Sequence, residues 1–191
     1  MKLAIVVGHS KDKKGAYAVG PINQHEYDFN IEVAQNAYQA AMLSGIQTKI
    51  FLRDSIGIVG AYKEVNKWAD ENTVCIELHF NSFNGKAQGT ETLFDKDPVE
   101  SIEVAREVHE AVCALFDRRG KLDRGLKLID DGRGAKSLAE CKVPGCLIEP
   151  FFGDNKNDAI LANSLRLEYA KTIVFGVLSY FENKIKRISL N

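Results

Sequence analysis

The sequence predicts an α/β fold: one three-layer αβα domain with a twisted, mostly parallel sheet flanked by helices. Two observations carry this. Short apolar runs alternate along the chain with longer stretches whose apolar residues recur three or four apart, the alternation of strand and helix expected of βα units. The 191 residues suffice to bury one hydrophobic core, and no repeat, low-complexity segment or linker divides them, so a single domain over 1–191 is expected, with no separate binding domain.

Leu3 to Val7 reads as the first strand, ended by Gly8. A helix opens at Glu26, carries Phe29, Val33, Ala37 and Ala40 on one face and closes at Gly45, the residue type that most readily takes the left-handed conformation of a helix stop. Thr48 to Leu52 is a second strand, and Val59 to Ala69 a helix presenting Tyr62, Val65 and Trp68. Thr73 to Phe80 is an apolar strand; a polar loop with Gly85 and Gly89 leads to another strand at Thr90 to Phe94. Pro98 to Phe116 opens with proline in the first turn and sets Ile102, Ala105, Val108, Val112 and Leu115 on one face. Gly125 to Ile129 and Cys146 to Glu149 read as strands. The last helix is expected from Asn157 to Glu182, with Leu161, Leu165, Tyr169, Ile173, Val177 and Phe181 facing the core.

Composition narrows the partners. With 27% charged residues and a formal net charge of -1, no basic footprint points to nucleic acid or an anionic membrane. The N-terminal apolar run is far shorter than the apolar region of a secretion signal, and no later run approaches a membrane span, so synthesis in the cytoplasm without membrane insertion is expected. Cys75, Cys113, Cys141 and Cys146 contain no CxxC pair and read as buried free thiols.

In open α/β sheets ligands gather beyond the carboxyl ends of the strands. That rule selects His9 after the first strand, His79 at the end of the third and Glu149 at the end of the last; Glu26 opens the first helix, where the loop from Gly15 to Gln24 can return it toward His9. Two imidazoles and a carboxylate suit a catalytic zinc, which takes three protein ligands and keeps one position open. Spacing alone leaves this open against ordinary hydrogen-bonded histidines, since no HExxH run exists. Glu149 stands apart, because a carboxylate after Cys146, Leu147 and Ile148 needs a partner if it is buried. His25 and His109 are expected to have no direct role, His109 lying on a charged helix face.

Four segments in order, VVGHS at 6–10, HEYDFN at 25–30, ELHFNSFNGKAQGTETLF at 77–94 and CLIEPFFGDNKND at 146–158, resemble the zinc-dependent N-acetylmuramoyl-L-alanine amidases of the amidase 3 family, over essentially the whole chain. The resemblance implies one Zn2+ ion bound by His9, Glu26 and His79, Glu149 as catalytic carboxylate, and Asn30 and Asn81 as groups that orient a ligand or substrate. It implies cleavage of the amide between N-acetylmuramic acid and L-alanine in peptidoglycan; a monomer is the favoured oligomeric state, which the sequence does not fix. A phage lysis enzyme that reaches the wall after release fits the expected lack of a signal peptide. Gly89 to Glu91 also matches, in a largely structural role.

Three departures stand out. Valine precedes Gly8 and Ser-Lys follows His9, where the family commonly has a proline-glycine-histidine-glycine-glycine run. Glu77 replaces what is more often a small residue; two positions from His79 on a strand it shares that face, and it is expected to meet a basic side chain rather than the site itself. The lysine-rich stretch before Glu26 is placed at the groove wall, and Tyr17, Phe83, Phe151 and Phe152 are candidates for sugar or peptide contact, with Phe151 the one most suited to packing. A zinc peptidase or deacetylase acting on another amide, and a non-catalytic wall-binding module, are the competing readings.

Overall fold

Lys2–Val7 (β1) pairs in parallel with Gln47–Phe51 (β2), an edge strand, on one side and Thr73–Leu78 (β3) on the other. The computed structural model describes residues 1–189; Leu190 and Asn191, part of the expected domain, lie outside the described residues. Gly145–Glu149 (β6) pairs in parallel with β3, Thr90–Phe94 (β4) runs antiparallel beside β6, and Asp123–Leu128 (β5) closes the edge parallel to β4. The order is β2-β1-β3-β6-β4-β5, with one antiparallel pairing in a mostly parallel sheet.

Side-chain alternation along the strands divides the interior. Leu3, Ile5 and Val7 with Val74, Ile76, Leu78, Cys146 and Ile148 face one helical layer, made of Glu26–Leu43 (α1), Ser101–Leu115 (α3) and Arg166–Ser189 (α6). Ala4, Val6 and Cys75 face the other, where Gly57–Trp68 (α2) brings Tyr62 and Val65 and Ala135–Glu140 (α4) lies alongside. The four cysteines are free and buried, as expected. Helix α1 stops as its glycine predicts: Gly45 takes φ +75, and the amide of Ile46 turns back to the Ala41 carbonyl at 2.9 Å.

The structure corrects several boundaries. The last helix is two, Lys156–Ser164 (α5) and α6, interrupted at Leu165. Leu165 N still donates to Leu161 O and Tyr169 N to Leu165 O, so the spacing by four runs through the interruption and conceals it. On α3 Ile102 is exposed and the buried face instead includes Val104, His109 and Cys113. His109 is therefore no charged-face residue: Thr92 Oγ1 lies 2.9 Å from its Nδ1 and Asp123 Oδ1 3.0 Å from its Nε2. Helix α4 and the short 3-10 turn Gly120–Leu122 were not anticipated, each being too short to show a period.

Candidate metal centre and active site

Strands β1, β3 and β6 are neighbours, and their carboxyl ends deliver His9, His79 and Glu149 side by side. The ladder extends past the strands to hold them: Gly8 N donates to Leu78 O at 3.0 Å and His79 N to Ile148 O at 3.1 Å. His9 turns off the strand with φ +66, an unusual conformation for a residue with a side chain. Gly8 has to lack one, because a Cβ there would meet His79 Nε2 at 2.5 Å.

Glu26 arrives from the other direction. The returning loop is pinned to α1 by Glu26 N donating to Ala16 O and Tyr27 N to Lys14 O, at 2.8 and 3.0 Å. At the first position of the helix its carboxylate also sits in the field of the helix N-terminus, which favours an anion. Phe80 N donates to Glu26 Oε1 at 3.1 Å and Ala16 N to Oε2 at 3.3 Å. The same two oxygens lie 2.7 Å from His79 Nδ1 and 3.0 Å from His9 Nε2. Burial alone would raise the Glu26 pKa, but the hydrogen bonds with His79 and His9 outweigh it and hold the group at about 2.

One ligand atom from each of His9, Glu26 and His79 lies within 4.8 Å of the others. The donor set fits a catalytic zinc. Both nitrogens of His79 oppose carboxylate oxygens, Nδ1 that of Glu26 and Nε2 that of Glu77 at 2.9 Å, which a neutral imidazole with its single N–H does not satisfy alone. A metal in place of the Nδ1 proton satisfies both contacts. His109, Cys113 and Asp123 also cluster closely, but there the Thr92 hydroxyl and the Asp123 carboxylate give each nitrogen of His109 a hydrogen-bond partner.

Glu149 lines the same cavity of about 430 Å³ as His9, Glu26 and His79. Burial pushes its carboxyl up to about 7, with Glu26 and Glu91 adding to the rise and His79 and Arg133 opposing it. Its Oε2 is buried with no hydrogen-bond partner among the described residues, and Oε1 lies 3.3 Å from Arg133 Nη2. A buried carboxyl poised near neutrality suits a group that takes and returns a proton.

The other sequence candidates fall in different places. Asn81 bridges Arg133 and Glu91: it accepts from Arg133 Nη2 at 3.0 Å and donates to Glu91 Oε1 at 2.6 Å. Asn30 is fully buried one turn beyond Glu26, its amide without a partner among the described residues. Tyr17 and Phe83 are 50% and 77% exposed, as a contact role requires. Phe152 is buried beneath the Arg124 guanidinium, and Phe151 packs against Phe29 and Phe80, which removes both from the surface. Ala16 lines the cavity, placing the end of the lysine-rich loop at its wall.

Sequence reasoning did not single out Arg133, Arg53 or Ser137, all of which line the cavity. Arg133 lies between two glycines in a polar loop, Gly132 to Gly134, with no period to mark it. Glu77 is buried against Arg53, as expected, and it also reaches His79, which was not.

Residues 3–179 match the family model described as N-acetylmuramoyl-L-alanine amidase. An uncharacterized cell wall amidase of Bacillus anthracis is 30% identical over 141 residues, 69% of this chain, and the chain spans about a quarter (24%) of that protein's length. The catalytic domain of the CD27L endolysin targeting Clostridia difficile superposes with a TM-score of 0.78 at 28% identity, covering 94% of this chain and 97% of that one. The catalytic domain of CwlV, an N-acetylmuramoyl-L-alanine amidase from Bacillus (Paenibacillus) polymyxa var. colistinus, shares the fold at 20% identity and a TM-score of 0.79, over 95% and 99% of the two chains. With its strand ends, cavity and motif order in this arrangement, the chain belongs to the amidase 3 family of N-acetylmuramoyl-L-alanine amidases.

Proposed function

We propose that the protein is a zinc-dependent peptidoglycan amidase that hydrolyses the bond between the N-acetylmuramic acid lactyl group and L-alanine of the stem peptide. The observation that carries this is the convergence of His9, Glu26 and His79 beside a buried Glu149 held near neutrality. Zinc, when bound by the first three, supplies Lewis-acid polarisation and a lowered water pKa. Glu149 accepts a proton from the water that attacks the amide carbon. It returns that proton to the nitrogen as the C–N bond breaks, so L-alanine leaves as a neutral amine. Arg133, which lines the same cavity, sets a positive charge beside Glu149 and donates to Asn81. Tyr17 and Phe83, next in sequence to the lining residues Ala16 and Ser82, offer exposed rings to a polymer. A lytic role after release from the producing cell is the setting we propose, supported by the likeness to an endolysin catalytic domain.

Digestion of purified peptidoglycan with zinc-loaded protein and with a chelated control, read by mass spectrometry, tests this. Free stem peptides beginning with L-alanine, released only with metal, are the expected products. Cuts within the peptide would make the protein a peptidase, and no cleavage by folded, zinc-loaded protein would overturn the catalytic reading.

A further inference from the structure

Glu77 is fully buried on β3, two residues before His79 and on the same face of the sheet. Each of its oxygens is committed. Oε2 accepts from the Tyr62 hydroxyl at 2.6 Å; Oε1 faces Arg53 Nη2, the Ser137 hydroxyl at 3.5 Å and His79 Nε2 at 2.9 Å. Arg53 in turn donates from Nη2 to Ser137 Oγ at 2.7 Å. The partners come from four places: the segment after β2, helix α2, helix α4 and the residue that follows β3. A buried carboxylate so surrounded is costly to keep unless its charge is matched, and Arg53 matches it.

We infer that Glu77 is a positioning residue for the metal centre. By accepting the Nε2–H of His79 it fixes the imidazole tautomer that leaves the Nδ1 lone pair directed at Glu26 and His9, and Arg53 is the counter-charge that lets a carboxylate occupy this buried place. A ring without that acceptor is free to carry its proton on Nδ1, where it competes with the metal. Carboxylates holding the second nitrogen of a metal-bound histidine commonly raise metal affinity by 10- to 100-fold. The inference rests on the zinc reading of the site, and its test separates the two.

Zinc affinity of the metal-free protein is measured by competition with a chromophoric chelator, for wild type, Glu77→Gln, the double variant Arg53→Met/Glu77→Leu, and Val65→Ala. The double variant removes the buried pair together, which preserves folding where removing one partner alone exposes an unmatched charge. Val65→Ala loosens the same α2 layer without touching the site. The expected result is about tenfold weaker zinc binding for Glu77→Gln and up to about 100-fold for the double variant, with Val65→Ala losing thermal stability but binding like wild type. Nitrogen-15 spectra of the histidine side chains should show His79 protonated at Nε2 in zinc-loaded wild type, and this signature weakened in Glu77→Gln. Wild-type zinc affinity in the double variant, or an equal loss in Val65→Ala, overturns the role of Glu77 and leaves the zinc reading intact. A wild-type protein that binds no zinc overturns both.

Discussion

Arg133 Nη2 stands 3.3 Å from Glu149 Oε1, and after His79 it is the group that restrains the rise in the Glu149 pKa. Arg133 is itself 59% exposed on its side chain, so it can be removed without opening the core. Its loss leaves His79 alone to oppose burial and the neighbouring Glu26 and Glu91, which favour the protonated form. Since Glu149 must be ionised to accept a proton, Arg133→Met should move the acid limb of the kcat/KM profile to higher pH. A loss on the order of tenfold at pH 6 that narrows toward pH 9 is the expected outcome. A uniform loss at every pH would assign Arg133 to substrate binding instead.

The same carboxyl makes a prediction about stability. Glu149 has a folded-state pKa of about 7 against an ordinary 4.5, so the unfolded chain gives up this proton first as pH rises. Its contribution to stability is therefore full below about pH 4.5, falls between there and 7, and stays low above. Glu149→Gln should stabilise the metal-free protein at pH 8 by on the order of 3 kcal/mol, a rise of several degrees in Tm, and change little at pH 4. Glu26 has the opposite sign. Its folded pKa near 2 gives stability that is present above 4.5 and lost as pH falls toward 2. Thermal melts of metal-free wild type and Glu149→Gln across that range check both.

Removal of the proposed proton carrier and removal of a proposed ligand should separate cleanly. Glu149→Ala is expected to keep zinc and to lose about 100- to 10,000-fold in turnover, the range of a general acid–base group. His79→Ala should lose the metal along with the activity, because it takes a nitrogen from the cluster. Metal content by mass spectrometry beside a peptidoglycan assay distinguishes them, and an active Glu149→Ala would remove it from the catalytic role.

Gly15 and Gly45 have nearly the same backbone, φ +76 and +75, and opposite surroundings. A Cβ on Gly15 would lie 2.6 Å from His9 Cδ2 and 2.7 Å from Glu26 Oε2, whereas one on Gly45 meets nothing within 4 Å. Both alanine variants carry the cost of a left-handed residue, about 1 kcal/mol. Only Gly15→Ala should displace two of the proposed metal ligands, so its zinc affinity should fall by at least about tenfold while Gly45→Ala binds as wild type. Equal affinities would mean that the loop before α1 yields without moving Glu26.

Legibility in the sequence followed the scale of the signal. The strands and long helices were readable because periods of two and near four persist over enough residues, and the strand-end rule then found His9, His79 and Glu149 from β1, β3 and β6. Glu26 was readable only because it opens a helix behind a loop able to return. What escaped depended on pairing across the fold. Arg53 and Ser137 are 84 residues apart, yet meet at 2.7 Å, and nothing local to either announces it. Glu77 could be placed on the His79 face by parity, but whether it served the site turned on Tyr62 and Arg53 fixing its two oxygens. His109 was misread for a related reason: charged neighbours along α3 suggested solvent, while the face is set by Thr92 and Asp123 from the edge of the sheet.

Asp158 shows how the site is anchored from below, and it supports a last prediction. It is buried in the first turn of α5, where Oδ1 accepts from Arg118 Nη2 at 2.8 Å and Oδ2 from Phe152 N and Gly89 N at 2.9 and 3.1 Å. The segment after Glu149, the loop into β4 and the loop after α3 therefore share one carboxylate. Asp158→Ala would leave a buried guanidinium unmatched and two amides without acceptors, a loss of about 3–5 kcal/mol and roughly 10 °C in Tm. Asp158→Ala/Arg118→Met should recover part of that, because the unmatched charge is gone while the two amides remain. Activity should follow a different course. Phe152 bridges to Asn81, which holds Arg133 beside Glu149, so both variants should lose turnover below their melting range even where the double variant regains stability. A double variant with wild-type turnover would show that Asn81 keeps Arg133 in place without support from Asp158.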